Sequence, residues 1–270
     1  MPEGIQYSET GDQMISRTLR QMIVIAIIAT FLMATNVAHA RQAITDGLVS
    51  YWSFNKDSVA GKTVKDIFGA NDGTMDGNVA VVDGKVGEAL KFSGGHVDCG
   101  ADKSLTDIGD QITLEAWIKP EKPGWAIFAG ISRSGNNSYV IAWSDQTRVD
   151  FNLWNGALET WPFHSVGQPD VNKWHHVAGV YDGSEAIIYI NGEVDNEKEF
   201  EGVLKHNGEN FWMGARKSDG LPYNGLLDEL RLYNRGLSQE EIENNLDAEG
   251  LAVEPTQKLA LTWGMIKVSK

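Results

Sequence analysis

A single cysteine, Cys99, in 270 residues excludes an internal disulfide framework and any cysteine-rich zinc site. Basic residues are scarce, with 23 Lys and Arg against 37 Asp and Glu, for a net charge of −14. Nucleic-acid binding rests on Lys and Arg neutralising phosphates, so nucleic acid is not expected as a partner. No apolar run reaches the roughly 20 residues that a comfortable bilayer span requires. No repeat at a fixed period is present, which argues against a propeller or solenoid. Ser-His-Asp, P-loop and Gly-rich dinucleotide patterns are also missing from any strand–turn–helix setting. What is abundant is glycine, 29 residues, and tryptophan, nine. That pairing points to turns and aromatic-rich strands. The length leaves one large β domain or two ordinary domains open.

The first forty residues read as a signal peptide. Arg17 and Arg20 precede the apolar run Met22–Met33, and Ala38-His39-Ala40 supplies the small-x-small pattern that a signal peptidase accepts. Met1–Gln13 is a long, acidic lead, which makes Met14 an alternative start. An uncleaved membrane anchor is the alternative reading of the same segment. Cleavage would leave an acidic chain that is secreted or held at the cell surface or in the periplasm, with no stable membrane span. In such an oxidising compartment a lone cysteine is either buried or available for an intermolecular bond, and the setting of Cys99 favours burial.

From residue 41 to 247 short β-like runs alternate with Gly, Asn and Asp turns. Ile112-Thr-Leu-Glu-Ala-Trp-Ile118 places Ile112, Leu114, Ala116 and Ile118 on one face, and Pro120 is expected to end that strand. Asp182-Gly183 and Asn191-Gly192 sit between apolar runs and tolerate the positive φ of two-residue hairpin turns, predicting a three-stranded meander. Near the end, Ser238 and Glu241 form a capping box for a helix over 237–246. Residues 248–270 read as a linker and tail, with a last apolar stretch at 259–268. Many short strands and almost no helix predict an all-β, two-sheet antiparallel jelly-roll sandwich with one short C-terminal helix.

Four stretches together resemble a LamG-like jelly roll of the concanavalin A-like lectin/glucanase superfamily: Leu48-Val-Ser-Tyr-Trp-Ser-Phe54, Val64-Lys-Asp-Ile-Phe-Gly-Ala-Asn-Asp-Gly-Thr74, Trp174-His-His-Val-Ala-Gly-Val-Tyr-Asp-Gly183 through Tyr189-Ile-Asn-Gly192, and Gly225-Leu-Leu-Asp-Glu-Leu-Arg-Leu-Tyr-Asn234. The resemblance implies two curved sheets, a concave ligand face and often a structural calcium. It extends to binding modules, adhesion domains and a minority of glycosidases, so fold alone does not assign activity.

Three constellations are candidates for chemistry. Alternation in Leu226–Tyr233 puts Asp228 on a face otherwise made of leucines, where an isolated buried carboxylate would be very costly. The loop containing Asp66 and Asn71-Asp72-Gly73 offers the oxygens that calcium prefers. By resemblance, Asp66, Asn71 and Asp228 are the calcium candidates, although Asn55 stands where the family more often has aspartate. An ordinary turn and a hydrogen-bonded aspartate are the alternatives.

Glu193-Val-Asp195-Asn-Glu197 superficially matches the Glu-x-Asp-x-Glu of glucanases in the same superfamily, with three carboxylates on one face by period two. Its charged surroundings lack the walled site that raises a catalytic carboxyl pKa, so no catalytic role is expected and the chain is not expected to be an enzyme. His175 and His176 are adjacent in a strand, point to opposite faces and cannot share a metal.

In the third, Val149, Phe151 and Leu153 are expected to face the core, which turns Arg148, Asp150, Asn152 and Trp154 outward as a saccharide-binding set. Trp125 and Trp161 are further candidates. Trp52, Trp117, Trp174 and Trp212 sit in strand patterns and read as structural. The leading expectation is a secreted, non-catalytic module for carbohydrate or a surface glycoconjugate, stabilised by calcium. A protein-binding adhesion or structural domain is the alternative, and a glycoside hydrolase a third.

Overall fold

In the computed structural model, residues 42–133, 136–144, 146–216, 220–248 and 250 are described. The expected signal peptide, residues 1–40, and the apolar stretch at 259–268 lie outside them. No helix among the described residues is long and apolar enough to cross a membrane.

The described residues form sixteen strands: β1 (Leu48–Trp52), β2 (Val59–Ala60), β3 (Thr63–Val64), β4 (Gly73–Asp76), β5 (Val79–Asp83), β6 (Glu88–Ser93), β7 (His96–Asp98), β8 (Ile112–Pro120), β9 (Ala126–Arg133), β10 (Asn136–Trp143), β11 (Val149–Leu153), β12 (His175–Tyr181), β13 (Glu185–Ile190), β14 (Glu193–Glu199), β15 (Trp212–Met213) and β16 (Asn224–Tyr233). Two helices accompany them, α1 (Lys103–Thr106) and α2 (Gln239–Leu246). The strands make two antiparallel eight-stranded sheets. One runs β14-β13-β12-β8-β16-β6-β5, with β1 also on β16; the other runs β11-β10-β9-β15-β7-β4-β3-β2. This is the jelly-roll sandwich that the alternation predicted. The four-residue α1 is an addition, and Pro120 is the last residue of β8, as expected.

The meander β12-β13-β14 forms as expected. Asn191 and Gly192 both take positive φ, 53° and 87°, which is what a tight turn matching the strand twist demands. The other turn falls one residue later than the sequence suggested: Asp182 N–H donates to the Glu185 carbonyl, leaving Gly183 and Ser184 at the tip. The Asp182 carboxylate accepts from the backbone N–H groups of Ser184 and Glu185, closing the loop from inside.

Ile112, Leu114, Ala116 and Ile118 enter the main core as predicted, but the intervening Thr113, Glu115 and Trp117 are buried as well. Trp117 packs on His176 and Lys85. Thr113 and Glu115 are covered by α2 and the turn before it, and the predicted capping box forms between Ser238 and Glu241. On that side Leu48, Tyr51, Ala178, Val180, Tyr189, Tyr233, Leu237 and Ile242 make a second apolar cluster. Cys99 is a free, buried thiol in the main core.

The last strand departs from simple alternation. Along one edge β16 pairs with β6 from Asn224 to Leu227 and with β1 from Leu230 to Tyr233. Between these partners the register with β8 shifts, and Glu229 takes a φ of 53°. This irregularity exchanges the faces: Leu227 points to the core before it, Leu230 and Leu232 after it. Asp228 therefore does not belong to a leucine face, which corrects the simple period-two reading.

The two sheets pack closely where Phe151 of β11 meets Gly179 of β12. A Cβ on Gly179 would come within 2.2 Å of the phenyl ring. Gly179→Ala is accordingly expected to destabilise the fold by about 1–3 kcal/mol through overpacking. Urea unfolding should show a lower midpoint with an unchanged slope; an unchanged midpoint would refute this packing.

Candidate saccharide pocket

The alternation of β11 is borne out in its burial. Val149, Phe151 and Leu153 join the main core, and β11 pairs with β10 so that Asp150 lies opposite Ala142 and Asn152 opposite Val140. On this outer face Ile127, Val140 and Ala142 form a small apolar cluster with Leu221 against it. A cavity of about 340 Å³ opens over them. Its walls add Trp125, Trp161, Asn137, Glu159, Arg216, Asp150 and Asn152. The two indoles stand 5.1 Å apart between ring centroids, tilted by 49°, and are 37 % and 45 % exposed.

Beneath that aromatic rim the polar groups are held firmly. Asp150 is 0 % exposed and meets His164 Nδ1 through Oδ1 at 2.8 Å. Glu159 Oε1 accepts from the Asn137 backbone N–H at 3.2 Å and from its side-chain amide at 3.0 Å. Asn152 is 2 % exposed, and its Oδ1 accepts no hydrogen bond from the described residues. A buried amide oxygen without a donor costs free energy, so a pocket ligand offering a hydroxyl would relieve it.

Of the four residues expected on this face, the structure brings Asp150 and Asn152 into the cavity and leaves the other two outside its wall. Arg148 sits at the turn before β11, where its backbone bonds Ser144. Trp154 follows β11 and bridges to Glu159 through the backbone. The turn and the end of the strand carry these two side chains off the outward stripe. Trp125 and Trp161 supply the aromatic surface instead. Asn137, Glu159 and Arg216 carried no sequence signal, because they arrive from separate loops and strands.

The calcium candidates are placed differently. Asp66 Oδ1 accepts from the backbone N–H groups of Tyr51, Phe68 and Gly69 at 2.9, 3.1 and 2.8 Å, and Oδ2 accepts from Asn71 at 3.0 Å. Four N–H dipoles converge on this carboxylate and satisfy it without a cation. The Asn71 amide donates to Ser50 and Ser104, and its oxygen accepts from Ser104. Asp228 Oδ2 accepts from the N–H groups of Lys85 and Val86 at 2.8 and 2.9 Å, while Oδ1 is buried with no hydrogen-bond partner. Among the described residues no three acidic, His or Cys side chains gather as metal ligands. Asp66, Asn71 and Asp228 thus do not fit one shared calcium ion, each being engaged with its own donors.

The Glu193–Glu197 ladder is also interrupted. Tyr189 pairs with Val194 and Ile188 with Asn196, so Asp195 is an extra residue in the edge strand. Its carboxylate accepts from Val166 and Gly167 N–H, tying down the loop that follows the pocket. The period-two face of three carboxylates is not formed.

Under α2 a charged cluster is sealed from water. Arg231 pairs with Glu229 and lies 3.5 Å from Glu115, whose Oε1 accepts from Asn245 at 2.7 Å. The Tyr51 hydroxyl donates to Glu229. Burial pushes the Glu115 carboxyl up to about 7 and the His176 imidazole beside it down to about 3.

Burial likewise pushes the Asp228 carboxyl up, to about 7. A carboxyl that holds its proton more tightly when folded contributes most at low pH, and that contribution is lost as pH rises toward 7. Asp228→Asn, which keeps an acceptor for Lys85 and Val86, should therefore gain stability over the wild type between pH 4 and 8. EDTA should leave the melting temperature of both proteins unchanged. An EDTA-induced drop in the wild type alone would restore calcium to Asp228.

Comparison with known proteins places this architecture. The Laminin_G_3 family model, described as concanavalin A-like lectin/glucanases superfamily, matches residues 92–243. No curated protein matches the chain in sequence. Among solved structures it is similar to domain 4 of AbnA, a GH43 extracellular arabinanase from Geobacillus stearothermophilus, in complex with arabinotriose. That match has a TM-score of 0.59 and 21 % identity over 74 % of this chain and 98 % of that one. The binding domain of Paraclostridial Mosquitocidal Protein 1 matches at TM-score 0.59 and 15 % identity, over 74 % of this chain and 52 % of that one. Trypanosoma rangeli sialidase matches at TM-score 0.58 and 17 % identity, over 86 % of this chain and 40 % of that one. This chain therefore spans about half or less of the latter two. The sandwich, its sheet order and the family match make the chain a member of the concanavalin A-like lectin/glucanases superfamily.

Proposed function

We infer that this chain is a non-catalytic saccharide-binding module, exported by its N-terminal segment, with its site in the Trp125–Trp161 cavity. One observation carries the reading: an exposed indole pair stands over buried Asp150 and Asn152, and the Asn152 oxygen has no donor of its own. Sugars present an apolar face of C–H groups beside a rim of hydroxyls, and this cavity offers partners for both. The arabinotriose held by the arabinanase domain and the sialidase among similar folds support a carbohydrate as the ligand class.

Both cavity carboxylates are occupied, Asp150 with His164 and Glu159 with Asn137, which suits fixed hydrogen-bonding better than proton shuttling. The extra residue at Asp195 turns Glu193 and Glu197 to opposite faces of β14, so they form no facing pair. Reducing-sugar release that Glu159→Gln abolishes would instead make the chain a glycosidase.

A single shallow site binds weakly, and display on a multivalent surface compensates through effective concentration. On a glycan array, Trp161→Ala and Asn152→Ala are each expected to lower binding at least about tenfold, a change of about 1.4 kcal/mol. Trp154→Ala and Glu185→Ala should bind as the wild type does. Equal binding by all four variants would place the site elsewhere, and the absence of any glycan ligand would favour the protein-adhesion alternative.

A further inference from the structure

The saccharide cavity does not end at Trp125. A second cavity of about 200 Å³ is lined by Lys122, Pro123, Gly124, Trp143, Pro222, Tyr223 and Asn224. Trp125 and Ala126 belong to the walls of both cavities, so the two are neighbours. Trp143 in its wall is 1 % exposed, and among the described residues its indole N–H has no hydrogen-bond acceptor.

The two compartments differ in chemistry. The first holds the Asp150 and Glu159 carboxylates, the Asn152 oxygen and the Arg216 guanidinium, and so suits a ligand unit whose hydroxyls both donate and accept. The second offers the Trp143 N–H, the Lys122 ammonium and the Asn224 amide, and so suits a unit presenting acceptor oxygens.

We propose that the two cavities are consecutive subsites for a linked oligosaccharide of two or more units, which crosses Trp125 with a ring packed on each side of the indole. This rests on the saccharide reading and sharpens it: the ligand is a stretch of chain, not a single terminal sugar. The specificity-determining residue for length is Trp143, and Trp125 is the shared platform.

The test uses an array carrying neutral and uronic-acid-containing oligosaccharide series of one to six units, probed with the full chain. Binding should be weak for one unit, rise at two or three and then level off. Trp143→Phe keeps the aromatic ring in the core but removes the N–H, and should reduce binding of the longer glycans about three- to tenfold. It should leave one-unit binding unchanged, while the void left in the core lowers the melting temperature. Asn224→Ala, outside the core, should act in the same direction and keeps the test valid should Trp143→Phe unfold. Binding that is flat with length, or that rises with length yet ignores both variants, overturns this inference and leaves saccharide recognition standing. Binding to no glycan in any series overturns both.

Discussion

The contact between Phe151 and Gly179 sets the geometry on which the site depends. A phenyl ring from one sheet occupies the space that a side chain on the other would need, so β11 is pinned at its middle residue. A strand so pinned has no freedom of register, because a one-residue slip would turn every side chain to the opposite face. With Val149, Phe151 and Leu153 committed to the core, Asp150 and Asn152 must enter the outer face. The cavity floor is thus a consequence of core packing, and its polar groups are held by a scaffold and not by flexible loops alone. The loops contribute what a strand cannot: Trp161, Glu159 and Trp125 come from connecting segments and close around that floor.

Buried charge in this protein is mainly structural. Asp66 organises a loop through four N–H groups, Asp228 receives two at the joint where β16 changes neighbours, and Arg231 with Glu229 and Glu115 fills the space beneath α2. Such groups are costly to bury, and each is offset by donors brought to it. The Asp228–Glu229 irregularity follows from topology. One strand edge cannot pair continuously with two different partners, and the register shift lies at the change.

The same distinction explains what could be read from the sequence. The strands, the Asn191-Gly192 turn and the α2 cap are governed by residues close in sequence, through period-two alternation, positive φ and reciprocal capping, and they were legible. Asp150 and Asn152 were legible for the same reason, since their direction follows from three apolar neighbours. Alternation failed where a strand is irregular: it extended the outward stripe to Arg148 and Trp154, and it put Asp228 among leucines and Glu193 to Glu197 on one face. Asn137, Glu159 and Arg216 could not be found locally, because their proximity exists only after distant segments fold together. The loop around Asp66 looked equally suitable for a cation or for backbone N–H groups, since a carboxylate in a Gly-bearing turn serves both.

The most direct test of the central claim is a two-dimensional NMR titration of the folded chain with an array-positive oligosaccharide. Indole and side-chain amide N–H signals report each wall of the cavity separately. The account predicts saturable shifts for the Trp125 and Trp161 indoles and the Asn152 amide, with Trp117 on the other sheet unmoved. Shifts that cluster around Trp117 or α2, with the cavity signals stationary, would contradict it.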